Sequence, residues 1–83
     1  MSMPSKREID DIERRYRSEI PLLTAKSDIL VREADALDFR ANSEPDNLKS
    51  LSLSRRASDK RLQAAKLLSE VDRKNNYLKM YGR

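Results

Sequence analysis

The sequence contains no cysteine, histidine or tryptophan, and its single glycine stands at position 82. Without cysteine or histidine there is no disulfide framework, thiol nucleophile or imidazole base, and the usual ligands of a structural zinc site are missing. Without an internal glycine there is no loop of the kind that cradles a phosphate. We therefore expect no enzymatic activity, no cofactor, no metal and no small-molecule substrate.

Long apolar runs are also missing. No stretch approaches 18 apolar residues, and the first residues, Met1 to Pro4, lead into charged side chains and not into a signal-peptide core. We expect a soluble intracellular protein, most simply a cytoplasmic one, with no insertion into a membrane. The alternative is export by a route that needs no cleaved apolar signal.

Charge is what the sequence has in abundance. Of its 83 residues 39% are charged and 37% are apolar, a composition typical of long or coiled helices. Domains of this size are often stabilised by a disulfide, a metal or association with another chain. Because the first two are excluded by composition, we expect association.

A seven-residue repeat of apolar side chains runs through the first half of the chain. One row of the repeat consists of Ile9, Tyr16, Leu23, Leu30 and Leu37, and the second row of Ile20, Ser27, Ala34 and Ala41. This spacing predicts an amphipathic helix over about residues 5–41. Pro21 lies inside the repeat, and because the phase continues through it we expect one kinked helix. The alternative is two helices, of which the second starts at Pro21.

A turn is predicted at about residues 42–47. Asn42 is suited to a left-handed C-cap of the first helix, and Ser43, followed by Pro45 and Asp46, resembles the N-cap box of a second helix. The second helix is expected from about residue 44 to about residue 80.

The second helix is predicted to have one broad apolar face. Its members are Leu53, Ala57, Ala64, Leu67, Leu68, Val71, Leu78 and Tyr81. Lys60 and Lys74 interrupt this face. We expect them to extend toward water at its edge, although a role in setting the register of the two helices is the alternative.

A short connection between two long helices makes them antiparallel neighbours. The sequence therefore predicts an all-α protein, a single domain over residues 1–83 folded as an antiparallel, coiled-coil-like two-helix hairpin. The arms are expected to be on the order of 50 Å long.

Each arm also has a second set of apolar residues away from its main face. These are Leu22, Ala25, Ile29 and Ala36 on the first arm, and Leu48, Leu51, Leu62, Ala65 and Met80 on the second. A hairpin buries only one stripe of each helix, so we expect a second copy or another protein to cover the second stripes and complete a bundle. The alternative is that they are scattered surface residues, which are normal on any protein.

The predicted function is that of a non-enzymatic helical interaction module, a small structural, adaptor or chaperone-like subunit. The candidate interface residues are Ile9, Tyr16, Ile20, Leu23, Leu30, Leu37, Leu22, Ile29, Leu51, Leu62, Leu67, Leu68, Val71 and Leu78.

Binding of nucleic acid is the alternative function. Residues 1–43 contain 8 basic and 9 acidic side chains and residues 44–83 contain 10 and 5, so the net charges of −1 and +5 account for the +4 of the whole chain. A basic second arm is suited to phosphate or to an acidic protein surface. The candidate contacts are Arg55, Arg56, Lys60, Arg61, Lys66, Arg73 and Lys74.

Overall fold

A computed structural model of the chain describes residues 5–81, so the predicted domain, residues 1–83, extends beyond them at both ends. Two helices account for nearly all of this segment: α1 spans Lys6–Ser43 and α2 spans Asn47–Tyr81. They lie side by side in a body of 60 × 23 × 14 Å. The predicted all-α hairpin is confirmed.

The first helix begins at a capping box that the sequence analysis did not predict. The Ser5 hydroxyl accepts a hydrogen bond from the backbone N–H of Glu8 at 3.2 Å, and the Glu8 carboxylate accepts one from the backbone N–H of Ser5 at 3.3 Å. Each bond satisfies a donor that the first helical turn leaves without a partner. From there α1 runs without a break through Pro21, so the prediction of one helix is right and the alternative of two helices is wrong.

The connection consists of residues 44–46, and its capping differs from the prediction. Asn42 and Ser43 both belong to α1, and no residue within residues 5–81 has a positive φ. The C-cap is Glu44, which is extended (φ −83°, ψ 119°) because the residue before a proline avoids the helical region. A left-handed cap is not needed, since the Glu44 N–H and the Ser50 hydroxyl both donate to the carbonyl of Ala41, at 3.3 Å and 2.8 Å.

Asp46, and not Ser43, caps the second helix. One carboxylate oxygen of Asp46 accepts the backbone N–H groups of Leu48 at 2.9 Å and Lys49 at 3.2 Å. Ser43 instead donates its hydroxyl hydrogen to the carbonyl of Phe39. The second helix therefore begins three residues later than predicted.

The core is a thin seam of small residues between the two helices. Its fully or nearly fully buried members are Ser27, Ala34, Leu37 and Ala41 on α1, and Leu53, Ala57, Ala64, Val71 and Lys74 on α2. Ser27, the only polar residue of the α1 repeat, donates its hydroxyl hydrogen to the carbonyl of Thr24 at 2.9 Å and is thus satisfied.

Contacts along the whole length of the seam define the register of the two helices. Tyr16 contacts Tyr77 at the open end, Glu33 pairs with Lys60 in the middle, and Ala41 accepts from Ser50 near the turn. In this antiparallel register Leu37 is level with Ala57 and Leu30 with Ala64, so that a large side chain on one helix meets a small one on the other. Such alternation lets the helices approach closely without leaving voids.

Candidate interaction surfaces

The predicted interface residues fall into two groups. The inner group packs between the helices: Leu37 and Val71 are buried, and Ile9, Tyr16, Ile20, Leu23, Leu30, Leu67 and Leu78 are half-buried. The outer group is exposed and consists of Leu22, Ile29, Leu51, Leu62 and Leu68. Leu68 was expected on the main face of α2. The structure places it outside the seam, because the seam follows the alternating three- and four-residue steps through Leu67 and Val71.

An outer stripe of α1 lies on the side of the helix away from α2. It consists of Leu22, Ala25, Ile29, Arg32, Ala36 and Phe39, all of them exposed, at alternating steps of three and four residues. The exposed fractions of Leu22 and Phe39 are 71% and 74%. Phe39 was not among the predicted residues. The continuation of the same spacing from Ala36 is the sequence signal that would have found it.

A comparable outer stripe follows α2. It consists of Leu48, Leu51, Arg55, Ser58, Leu62, Ala65 and Ser69, again exposed and again at steps of three and four residues. Leu48 is 80% exposed and Leu62 is 57% exposed. Each helix therefore has apolar residues on two opposite sides, of which the hairpin covers one, and the outer side is interrupted by Arg32 on α1 and by Arg55, Ser58 and Ser69 on α2.

An apolar groove between the helices adjoins the outer stripe of α1. It has a volume of about 570 Å³, is open to solvent, and is lined by Lys26, Ile29, Leu30, Glu33, Gln63, Lys66 and Leu67. Ile29 belongs both to the groove and to the stripe, so the two form one continuous apolar surface with charged side chains at its margin.

Three of the basic residues proposed as nucleic-acid contacts are ion-paired with α1. Lys60 pairs with Glu33 at 2.9 Å, Lys74 with Glu19 at 3.0 Å, and Arg61 with two acids of α1. Lys74 is buried, so the prediction that it extends toward water is wrong for this residue. Its charge is compensated inside the seam, where Glu19 and the Tyr16 ring surround it.

Arg61 forms the most extensive of these pairs. Its guanidinium donates to Asp35 at 2.9 Å and also contacts Asp38. The hydrogen bonds to Asp38 and Asp35 raise the pKa of Arg61 above its ordinary value. Both contacts are made by the Nη2 nitrogen of Arg61, and they tie the two helices together.

The other four candidates, Arg55, Arg56, Lys66 and Arg73, are exposed on α2. Arg73 contacts Glu70 on the same helix at 3.6 Å. The four residues are distributed over more than one side of the helix, so they do not form a continuous track of positive charge.

A cluster of tyrosines closes the open end of the hairpin. The Tyr16 and Tyr77 rings meet edge to face, with centroids 5.3 Å apart, and Tyr81 lies 4.9 Å from Tyr77. The Tyr77 hydroxyl is buried and has no hydrogen-bond partner within residues 5–81. Desolvation, followed by the neighbouring Tyr16, Tyr81 and Glu8, raises the pKa of Tyr77. The ring of Tyr77 is thus engaged in the fold.

Neither a metal centre nor a spanning helix occurs in the part of the chain that the structure describes. Over residues 5–81 no three carboxylates come together as a cation would require, and neither helix is long and apolar enough to cross a membrane. The depressions on this surface are grooves open to solvent.

Comparison of the chain with protein-family models, with curated proteins and with solved structures finds no match.

Proposed function

We propose that the chain is a non-enzymatic protein–protein interaction module that binds helical partners through its two outer stripes. The observation that carries this proposal is the double repeat: six of the nine large exposed apolar residues within residues 5–81 keep the same alternating spacing as the buried ones, whereas Val31, Leu68 and Met80 lie off it. Scattered surface residues would have no such spacing, whereas a helix that packs on both sides requires it.

The size of the apolar surface supports the same function. Full burial of one leucine, isoleucine or phenylalanine contributes about 1.5–3 kcal/mol. The outer stripes expose six such side chains: Leu22, Ile29, Phe39, Leu48, Leu51 and Leu62. Their burial, about 9–18 kcal/mol together, is comparable to or larger than the loss of freedom on association, which is about 4–15 kcal/mol, and therefore favours binding.

The form of the hairpin is consistent with a role outside catalysis. An enzyme needs a concave site in which several chemical groups converge. The grooves of residues 5–81 are open, and several close pairs of acidic and basic side chains, such as Glu33 and Lys60, join the two helices.

Capture of binding partners from an extract of the source cells tests the proposed function. The tagged chain is compared with an Ile29→Asp/Leu62→Asp variant and with an Asn75→Asp/Asn76→Asp control, which adds the same charge away from the apolar part of the stripes. We expect the chain and the control to retain the same proteins in high salt and the stripe variant to lose them. Equal retention by all three would show that the stripes are not binding surfaces.

Binding of nucleic acid is the competing outcome and is measured in parallel with labelled single-stranded and duplex DNA. Phosphate contacts predict an affinity that falls steeply with salt and that drops when Arg55 and Arg56 are replaced by alanine. Contacts through the apolar stripes predict neither effect. Salt-sensitive binding that the stripe variant retains would favour the nucleic-acid function.

A further inference from the structure

We propose that one face of the hairpin binds an acidic amphipathic helix of another protein. The helix inserts apolar side chains into two neighbouring grooves and places carboxylates beside Lys26 and Lys66. This inference rests on the proposed function, because Leu22 and Ile29 belong to the α1 outer stripe and also line these grooves. It names the chemistry of the partner on that side of the hairpin.

The two grooves follow each other along the same face. The first is the groove of about 570 Å³ described above, whose apolar lining includes Ile29 and Leu30. The second has a volume of about 350 Å³, is open to solvent, and is lined by Glu19, Leu22, Leu23, Glu70 and Lys74. Leu22 and Leu23 lie seven residues before Ile29 and Leu30, so the same apolar wall is repeated about 10 Å further along α1.

The acids that line the two grooves are neutralised within the hairpin. Their ion pairs are Glu33 with Lys60 at 2.9 Å, Glu19 with Lys74 at 3.0 Å, and Glu70 with Arg73 at 3.6 Å and Lys74 at 3.8 Å. The exposed acids Asp28 and Asp59 line neither groove. Among the described lining residues, therefore, no carboxylate is left unpaired.

Two lysines at the margin of the first groove lack such a partner. Lys26 and Lys66 are exposed, and neither forms an ion pair within residues 5–81. Lys26 lies between the grooves, three residues after Leu23 and three before Ile29. Arg32, three residues after Ile29, is also exposed without an ion pair in this segment and adds to the positive field. Charge complementarity therefore favours an acidic occupant and disfavours a basic one.

The repeat of the grooves favours a helix as the occupant. Apolar residues seven positions apart on one side of a helix are about 10 Å apart and match the two grooves. In an extended strand, residues about 10 Å apart are three positions apart and point to opposite sides, so that one strand does not fill both grooves. A phosphate backbone would contact the lysines but leave the apolar walls at Ile29 and Leu30 in water.

Selection from a displayed library of random peptides, long enough for about four helical turns, tests the inference on the full chain. We expect the retained peptides to share apolar residues at helical spacing, flanked by Asp and Glu. Anisotropy of a labelled selected peptide then measures affinity for three variants, whose helicity is checked by circular dichroism.

The three variants separate charge from apolar contact. Lys26→Glu/Lys66→Glu should weaken binding about tenfold or more, because attraction becomes repulsion. Leu22→Ser/Ile29→Ser keeps the lysines and should weaken binding by a similar factor, because the apolar walls are lost. The matched control, Arg55→Glu/Lys79→Glu, makes the same change of charge outside both grooves and should change affinity less than about threefold, since salt screens distant charges.

Several results would overturn the inference. One is a selection that enriches no peptide, or peptides without an acidic excess. Another is wild-type affinity in the Lys26→Glu/Lys66→Glu variant or in the Leu22→Ser/Ile29→Ser variant. A dimer in light scattering that Leu22→Ser/Ile29→Ser converts to monomer would show that a second copy occupies the grooves. Labelled DNA that binds the wild type, is lost by the lysine variant and is retained by the serine variant would assign Lys26 and Lys66 to phosphate.

Capture from the cell extract distinguishes failure of the inference from failure of the proposed function. If Lys26→Glu/Lys66→Glu retains the proteins that Ile29→Asp/Leu62→Asp loses, the stripes bind a partner that does not use the lysines, and only the inference fails. If Ile29→Asp/Leu62→Asp loses nothing, the proposed function fails as well.

Discussion

The ammonium nitrogen of Lys74 lies 3.0 Å from a carboxylate oxygen of Glu19 and thereby joins the two helices inside their seam. It also lies 4.4 Å from the centroid of the Tyr16 ring and 3.8 Å from Glu70. A charge in this position is tolerated because an acid of the opposite helix and an aromatic face both compensate for its lost hydration.

Replacement of the two partners should have unequal effects on stability. Removal of the acid in Glu19→Ala leaves the buried ammonium with the more distant Glu70 and should lower the free energy of unfolding by about 1–2 kcal/mol. Lys74→Leu removes the charge and should leave stability equal or higher. Urea unfolding followed by circular dichroism in dilute solution measures both, with Asp59→Ala as an exposed control. A larger loss in Lys74→Leu than in Glu19→Ala would contradict this account.

Close packing of small residues predicts a low tolerance for larger ones in the seam. Ala57 is completely buried and level with Leu37. Ala57→Leu should therefore lower the free energy of unfolding by about 1–3 kcal/mol, because the added methyl groups force the helices apart. The exposed Ala65→Leu is the control and should change stability by less than about 0.5 kcal/mol in dilute solution.

The double variant Ala57→Leu/Leu37→Ala sharpens this test, because it exchanges the large and small residues of one level. It should recover part of the stability that Ala57→Leu loses, which a double-mutant cycle measures as a favourable coupling. Strictly additive effects would mean that the two residues do not share a packing level.

Pro21 is expected to weaken the helix that contains it. A proline inside a helix removes the hydrogen bond to the carbonyl four residues earlier, here that of Arg17, and crowds it. Since Pro21 is exposed, Pro21→Ala should raise the free energy of unfolding by about 1–3 kcal/mol. Thermal unfolding in dilute solution measures the gain. The control is Asn75→Ala, which also places alanine at an exposed helical position, and a gain no larger than that of the control would contradict the prediction.

The raised pKa of Tyr77 predicts a loss of stability in alkali. Because the folded chain holds the phenol proton more tightly than the unfolded chain does, this contribution is fully present below the ordinary tyrosine pKa of about 10 and is lost as the pH rises through the folded pKa. Unfolding measured from about pH 8 to about pH 11 should show a steeper decline for the wild type than for Tyr77→Phe.

Two further readouts identify Tyr77 as the source of this decline. Tyrosinate absorbance should lose its highest-pH step in Tyr77→Phe and keep it in the Tyr81→Phe control. At neutral pH the phenylalanine variant should be at least as stable as the wild type, since the buried hydroxyl has no hydrogen-bond partner within residues 5–81. An unchanged alkaline decline in Tyr77→Phe would assign it to other groups.

The sequence predicted the hairpin well because its information is periodic. The seven-residue spacing from Ile9 to Leu37 identifies a helix and its inner side without reference to anything outside the segment, and it continues through Pro21. The turn was predicted from its cap residues at about residues 42–47 and overlaps the observed connection of residues 44–46, although Asn42 and Ser43 belong to α1. The phase of the repeat therefore indicates the helices, and the short connection between them makes them antiparallel.

Only the tertiary structure decided the hydrogen bond across the turn and the partners of the charges. The Ser50 hydroxyl of α2 donates to the carbonyl of Ala41 in α1. The Asp46 cap, by contrast, joins residues two and three apart, so its signal is in the sequence itself. The bond from Ser50 to Ala41 depends on where the second helix lies in space, so the spacing of residues along the chain does not reveal it.

The basic residues illustrate the same difference between what the sequence shows and what the structure shows. In the sequence Lys60, Arg61 and Lys74 look like Arg55 and its neighbours, whereas in the structure each of the three meets an acid of α1 across the seam. Local periodicity determined the helices and both of their apolar sides. The pairing of charges between residues far apart in the chain was decided by the register, because an ion pair forms only where the packed helices bring opposite charges level with each other.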